Sequence, residues 1–320
     1  MQVGEPTKAA RVVVLGMGGT IAGRAERAGD NVGYDAGAVP VEDLDAGLPV
    51  LQGRNVSFEQ VAQINSKDMR LADLQRLVDR ARVHLADPSV QGIVVTHGTD
   101  TIEETAYLLQ TLLAPAKPLV LTCAMRPATA VSPDGPQNLS DAVAVATEPG
   151  ARGVVVVCAG RVHGPREVAK QHPYRTDPFD SGDAGVIAQV EEGRVRRFRD
   201  WPVAARHTGR VEAFLRASAM PRVVWLSSHA DAQAWPVRAL LAASPEQRVQ
   251  GIVVSGTGNA SLHAELDAAL REAEAAGVRV AIANRNGAPP VPYPQQPFAD
   301  IDGLSPPKAR WALALDLLEG

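Results

Sequence analysis

The chain has 320 residues, of which 45% are apolar and 21% charged, and its formal net charge at pH 7 is −4. These values are typical of a globular protein with a substantial core, and the length predicts two domains at about 150 residues each. The acidic balance offers no basic excess for a phosphate backbone, so no nucleic acid partner is expected, and the absence of an apolar run of roughly 20 residues argues against a membrane helix.

The first ten residues, MQVGEPTKAA, contain no apolar segment typical of a secretory signal peptide. This favours a cytoplasmic protein, although a trimmed periplasmic form would have the same sequence.

Short aliphatic runs follow in the first half of the chain, each succeeded by glycine or polar residues. They lie at 12–15, 93–95, 119–122 and 154–157. Near-continuous aliphatic runs are typical of strands buried on both faces of a parallel sheet. Between them, Ile102, Ala106, Leu109 and Leu113 recur at helical spacing, and Thr101-x-x-Glu104 predicts a capping box at the start of that helix.

Alternating strands and helices predict an α/β fold, with a mostly parallel sheet flanked by helices in a larger N-terminal domain, residues 1–200. A charged stretch with no long helix predicts a linker over 201–220. A second series, with strands at 223–226, 251–254 and 278–283, predicts a smaller parallel α/β domain over 221–320. In such folds, ligands bind outside the carboxyl ends of the strands.

The first run leads into GMGGTIAG, residues 16–23. A nucleotide-binding G-x-G-x-x-G would need glycine where Ile21 stands, and no Walker Gly-Lys-Ser/Thr is present. What remains is a hydroxyl, Thr20, on a glycine-rich turn. Taken alone, such a threonine is more often structural than catalytic.

The second run leads into THGTDT, residues 96–101, just before the predicted helix. Backbone N–H groups at a helix start can hold an anion or an oxyanion. Asp100 is equally well interpreted as an N-cap, and His97 as a structural hydrogen-bonding group. Lys170, in REVAKQH, is by itself an ordinary solvated lysine.

Nothing in the sequence predicts a metal or another cofactor. The seven histidines show no spacing typical of metal ligands. The two cysteines, Cys123 and Cys158, lie in or beside apolar runs, and we interpret them as small buried side chains rather than as a disulfide or metal ligands.

Taken together and in order, these segments resemble the bacterial type II L-asparaginase (asparaginase/glutaminase) family. The matching blocks are GGTIAG at 18–23, INSKDM at 64–69, VVTHGTDTIEETA at 94–106, CAMRPATAVSPDGPQNL at 123–139 and the lysine of REVAK. The similarity continues through SGTGNASL at 255–262 to PKAR at 307–310.

The resemblance implies an amidohydrolase that converts L-asparagine to L-aspartate and ammonia through a threonine acyl-enzyme. It also implies a homotetramer, or a dimer, with shared active sites. Thr20 would be the nucleophile and Tyr34 its loop partner, while Thr99, Asp100 and Lys170 would form a second catalytic group. The expected substrate-binding positions are Ser66, Lys67, Ala124 through its carbonyl, and Ser261 from a neighbouring subunit.

Two departures from the family bear on the substrate. Lys67 stands where close members have glutamine, and residues 285–299 lack the glutamate that the family places near the substrate ammonium. A charged lysine cannot accept a hydrogen bond, and it repels an ammonium. Either the enzyme prefers an amide whose α-amino group is acylated or absent, or Lys67 turns to solvent or pairs with Asp68 and asparagine binds through Asp100.

Three other functions are alternatives to hydrolysis of asparagine. One is the same mechanism on another small carboxamide, such as glutamine. Another is a non-catalytic small-ligand-binding relative, against which the retention of all five catalytic side chains argues. A third is an amidotransferase subunit that recognises charged tRNA; its usual extra N-terminal domain does not fit a GGT block that begins at residue 18.

Overall fold

The structure, a computed structural model, describes residues 11–27, 29–45, 55–203, 208–291 and 298–319. The chain divides into two units, Met1–Arg206 and His207–Gly320. Both units are of the α/β type, so the predicted fold class is confirmed.

The first unit carries most of the strands. In chain order its elements are β1 (Arg11–Gly18), β2 (Arg24–Ala25), β3 (Tyr34–Asp35), β4 (Val56–Ile64), α1 (Leu71–Ala86), β5 (Val90–Thr96), α2 (Ile102–Leu113), β6 (Pro118–Thr122), α3 (Gly135–Ala146), β7 (Gly153–Cys158), β8 (Arg161–His163), β9 (Ala169–Lys170), β10 (Phe179–Asp180), β11 (Ala188–Glu191) and β12 (Arg194–Arg197).

Eight of these strands form one sheet in the order β12-β11-β8-β7-β6-β5-β1-β4. The five strands from β7 to β4 in that order run parallel, and β8, β11 and β12 are antiparallel additions. The aliphatic side chains of the central strands are buried, because helices cover both faces of a parallel sheet. The four strands predicted from aliphatic runs therefore lie at the centre of the sheet.

Helix α2 has the predicted face, since Ile102, Ala106 and Leu109 are fully buried. Its capping box is a wrong prediction. Thr101 is the N-cap residue, but its side chain makes no capping bond. The hydroxyl donates instead to the carbonyl oxygen of Ser66, 3.0 Å away, so it ties the helix start to the segment after β4.

The second unit contains a four-stranded, wholly parallel sheet in the order β13-β14-β15-β16. Its elements are α4 (Thr208–Arg216), β13 (Val223–Ser227), α5 (Trp235–Leu241), β14 (Gly251–Gly256), α6 (Ala264–Ala275), β15 (Arg279–Asn284), β16 (Ala299–Asp300) and α7 (Pro306–Glu319).

Helix α4 lies in the segment predicted as a linker over 201–220. Its Phe214 is fully buried, so this part of the segment is packed structure rather than a connection. The helix has nine residues, and three of them are charged, Arg210, Glu212 and Arg216. Tertiary packing decides the conformation of so short and polar a helix.

Cys123 and Cys158 are free and buried, as the sequence predicted. A hydrogen bond with Cys158 and burial raise the pKa of the Cys123 thiol well above its usual value. In the part of the chain that the structure describes, no cluster of three or more histidine, cysteine or acidic side chains is suited to a metal. None of the described helices is both long and apolar enough to cross a bilayer.

Candidate active site

Three loops of the first unit meet at the carboxyl ends of β1 and β5. Gly19, in the turn after β1, has a positive φ of 80°, and a Cβ there would overlap the backbone of Gly98. A Cβ on Gly98 would in turn overlap the side chain of Ser66. Glycine is therefore required at both positions, because only it permits this close approach. The result is that Thr20, Ser66 and Thr99 surround one cavity.

The first polar pair in this cavity joins Thr20 and Tyr34. Their hydroxyl oxygens lie 2.6 Å apart. Thr20 begins a short 3₁₀ helix after β1, and Tyr34 lies on β3, which pairs with β2 through Ala25. The connecting loop is fixed at its base, since the N–H of Ala25 donates to the Thr129 hydroxyl at 2.9 Å.

The second polar group joins Thr99, Asp100 and Lys170. The ammonium of Lys170 donates to Thr99 Oγ1 at 2.8 Å and to Asp100 Oδ1 at 2.7 Å. The lysine side chain is 21% exposed and the aspartate side chain 48% exposed. Lys170 is therefore a half-buried member of a cavity-lining group, and Asp100 keeps a carboxylate face open to the cavity.

The cavity has a volume of about 310 Å³. Its walls include both polar groups and Ser66, and its apolar side is formed by Val32, Met125, Pro173 and Tyr174. A pocket of this size with a few convergent polar side chains is typical of a small-molecule site.

Ser66 and Lys67, two neighbouring positions predicted to bind substrate, have different environments. Ser66 is buried, and its hydroxyl oxygen accepts the N–H of Asp100 at 3.2 Å. Lys67 points away, with a side chain 62% exposed and an ion pair of 2.6 Å to Asp68. Among the described residues, those that line the cavity include Ser66 but not Lys67. Of the two interpretations of Lys67, this geometry favours the pair with Asp68.

Ala124 and Ser261 are not among the described residues that line this cavity. Ala124 is fully buried, and its neighbour Met125 lines the wall instead. Ser261 belongs to the second unit, where it forms an isolated bridge with Thr257. The segment 285–299, which lacks the family glutamate, lies in part outside the described residues, at 292–297. The roles of Ala124 and Ser261 stay predictions.

His97 is a structural residue, in agreement with its interpretation from the sequence. It is fully buried, and its ring nitrogens lie 2.7 Å from the Gly98 carbonyl oxygen and 3.0 Å from the Thr105 hydroxyl. Because a neutral imidazole has one donor and one acceptor, Nδ1 donates to Gly98 and Nε2 accepts from Thr105. Burial lowers the pKa of His97 to about 4.

Sequence reasoning missed several contributors to the site, among them Glu103 and Tyr174. Glu103 accepts the backbone N–H of Lys170, and Tyr174 lines the cavity. The sequence gives no signal for the Glu103 contact, because it joins residues 67 positions apart.

The two buried histidines predict an acid-sensitive stability. Burial lowers the pKa of both His97 and His163 from 6.5 to about 4. An unfolded chain takes up these protons near pH 6.5, whereas the folded chain does not until about pH 4. The free energy of unfolding should therefore fall as the pH drops from 6.5 to 4, by up to about 1.4 kcal/mol per pH unit for each histidine.

Urea unfolding at several pH values would measure this slope. His97→Gln should reduce it, and the same change at the exposed His229 should leave it unaltered. A free energy of unfolding that stays constant or rises between pH 6.5 and 4 would contradict the expectation.

Known proteins resemble this chain over most of its length. A family model described as "Asparaginase, N-terminal" matches residues 11–203. The "Glutaminase-asparaginase" of Pseudomonas fluorescens biotype A is 38% identical over 283 residues, which are 87% of this chain and 76% of that protein. The "L-asparaginase 2" of Bacillus subtilis is 35% identical over 316 residues, 95% of this chain and 81% of that protein.

A solved structure shows the same architecture. It is described as the crystal structure of a probable cytoplasmic L-asparaginase from Campylobacter jejuni. It is 34% identical, superposes with a TM-score of 0.86, and the match covers 97% of this chain and 96% of that one.

Proposed function

Because the chain belongs to the asparaginase family and is an amidohydrolase of the L-asparaginase type, we propose that it hydrolyses L-asparagine to L-aspartate and ammonia with Thr20 as the nucleophile. The observation that carries this proposal is a single cavity lined by two threonine hydroxyl groups, each hydrogen-bonded to a side chain that can transfer protons. Thr20 is bonded to Tyr34, and Thr99 to Lys170.

An unassisted alcohol is a weak nucleophile and needs a group that removes its proton. In the proposed mechanism, Thr20 Oγ1 attacks the amide carbon and gives its proton to the hydroxyl oxygen of Tyr34, while Tyr34 passes its own phenolic proton on toward the amide nitrogen. The tetrahedral oxyanion is stabilised by backbone N–H groups at Thr99. The C–N bond then breaks, the nitrogen takes up a proton and leaves as ammonia, and an ester joins Thr20 to the acid.

The second polar group serves the second half of the reaction. Lys170 is bonded to both a hydroxyl and a carboxylate, and such a lysine can relay a proton between them. We assign to Thr99, Lys170 and Asp100 the activation of the water that hydrolyses the ester. Water adds its hydroxyl to the acyl carbon, and its remaining proton returns to Thr20 as the acid is released.

Substrate selection rests on Ser66 and Asp100. We assign the α-carboxylate to Ser66 and the α-ammonium to the half-exposed carboxylate of Asp100, because both residues line the cavity. Lys67 is paired with Asp68 outside the cavity walls, so free asparagine is the favoured substrate. An amide that lacks a free α-amino group is the second candidate, since glutamine at position 67 and the family glutamate are both absent from the sequence.

A substrate panel tests this choice. The kcat/KM for L-asparagine should exceed that for L-glutamine, succinamic acid and N-acetylasparagine. Lys67→Gln should change kcat/KM for asparagine by less than about fivefold, because an exposed ion pair contributes about 0–1 kcal/mol. If Lys67 instead faces the substrate ammonium, the variant should bind asparagine about 100-fold more tightly. Such a gain in affinity would favour an amide that lacks a free α-amino group as the substrate of the parent enzyme.

A non-catalytic ligand-binding relative is disfavoured by the complete set of polar side chains around the cavity. Binding of L-asparagine without ammonia release would favour it.

Assembly and location remain proposals. We propose a homotetramer, or a dimer, in which a neighbouring subunit contributes Ser261. Light scattering of the purified chain would test this, and a monomer with full activity would contradict it. A cytoplasmic location also stays a prediction; fractionation of the source cells would test it.

A further inference from the structure

Lys170 lies outside the eight-stranded sheet, although the proposed chemistry requires it to be well positioned. It belongs to the two-residue strand β9, which pairs with β10, and Lys170 itself is paired with Phe179. The next residues, Gln171 and His172, both donate their N–H groups to the Pro178 carbonyl, at 2.7 and 3.2 Å. So short a strand pair gives little support by itself. Another contact must fix the lysine backbone relative to Thr99.

Glu103 supplies such a contact. It lies in the first turn of α2, three residues after Asp100, and its Oε2 accepts the backbone N–H of Lys170 at 2.8 Å. The ammonium end of the same lysine is bonded to Thr99 and Asp100. The segment 99–103 therefore holds Lys170 at both its backbone and its side-chain end.

We propose that Glu103 is a positioning residue that sets the place of Lys170 in the catalytic group. Among the described residues, Glu103 is not part of the cavity wall, so it acts on the reaction through the lysine. A carboxylate that accepts an N–H forms a charge-assisted and comparatively strong hydrogen bond. The catalytic consequence rests on the proposed function, whereas the positioning itself does not.

The chain offers a matched control one residue away. Glu104 is also acidic, also half-buried and also in the first turn of α2. Its replacement therefore removes the same favourable interaction with the helix dipole that replacement of Glu103 removes. Glu103→Ala, Glu103→Gln and Glu104→Ala can then be compared, since Gln keeps a side-chain oxygen as acceptor but loses the charge.

Steady-state kinetics on L-asparagine give the first readout. Glu103→Ala should lower kcat about 10- to 100-fold with KM changed less than about threefold, since a displacement of about 1 Å can cost about 100-fold in rate. Glu103→Gln and Glu104→Ala should stay within about threefold of the parent. A parent-like kcat in Glu103→Ala, an equal fall in Glu104→Ala, or an equal fall in Glu103→Gln would each overturn the proposal.

Hydrogen exchange at the Lys170 amide gives a readout that needs no substrate. Loss of the Glu103 acceptor should speed exchange of this amide at least about tenfold, and Glu104→Ala should not. Unchanged exchange in Glu103→Ala would overturn the proposal. If the parent releases no ammonia from asparagine, the proposed function fails, and exchange still decides whether Glu103 holds the lysine.

If Glu103→Ala does not fold, Glu103→Asp replaces it in both measurements. Aspartate keeps the charge but is one methylene shorter, so exchange at Lys170 should again be faster than in the parent. If Glu103→Asp shows both hydrogen exchange at the Lys170 amide and kcat at the parent level, the proposal is overturned.

Discussion

Thr20→Ala is expected to reduce kcat for asparagine hydrolysis by at least about 10⁴-fold, in the range seen when the nucleophile of a hydrolase is removed. The physical reason is that the variant has no oxygen within the cavity that Tyr34 can activate, since the Thr20 hydroxyl is the group bonded to Tyr34 at 2.6 Å. KM should change far less than kcat, because the methyl group of alanine leaves the cavity walls in place.

Ammonia release measured over time would check this expectation. Thr20→Ser is the matched control, because it keeps the hydroxyl and should retain measurable turnover. A Thr20→Ala variant that keeps more than a tenth of the parent kcat would assign the nucleophile elsewhere, and Thr99 would be the next candidate. The same experiment therefore decides which of the two cavity-lining threonines attacks the amide.

Lys170→Met is expected to lower kcat about 10²- to 10⁴-fold, the usual contribution of a positioned proton-transfer group. Methionine preserves the length and the apolar stem of the side chain, but it cannot donate to Thr99 or Asp100. The carboxylate of Asp100 would also lose its ion pair of 2.7 Å. If water activation depends on this group, the acyl-enzyme should accumulate and be detectable by mass spectrometry.

Lys117→Met is the matched control for Lys170→Met. Lys117 donates to the carbonyl of Asp87 and does not line the cavity. Its replacement removes the same charge from the chain and should leave kcat within about threefold of the parent. A Lys170→Met enzyme as active as this control would remove the lysine from the mechanism. Thermal unfolding of both variants would show whether each is folded under the conditions in which kcat is measured.

Strand β4 could not be predicted from periodicity. It is an edge strand, and most of its residues are half-buried. Its sequence, VSFEQVAQI, contains no continuous aliphatic run that would indicate a buried strand. The capping box at Thr101 failed for a different reason. The threonine hydroxyl donates to the Ser66 carbonyl instead, and only the folded chain brings that carbonyl within hydrogen-bond distance.

The candidate catalytic residues could be named from the sequence through the resemblance of their motifs, and their roles stay predictions. Thr20, Thr99 and Lys170 are remote from one another in the sequence, and only the order of their motifs connected them. Lys67 shows the limit of this argument. Its side-chain type left two interpretations open, an obstacle to the substrate ammonium or a pair with Asp68, and the direction of the side chain toward Asp68 favours the second.

The sequence by itself determined the fold class, the central strands and the candidate polar residues, because buried strands and glycine-rich turns leave local patterns. Only the tertiary structure decided that Gly19, Gly98 and Ser66 pack against one another and so bring two hydroxyl groups into one cavity. It alone connected Glu103 to the backbone of Lys170. Such contacts join residues tens of positions apart, and they depend on strand order and side-chain direction, which local sequence patterns do not encode.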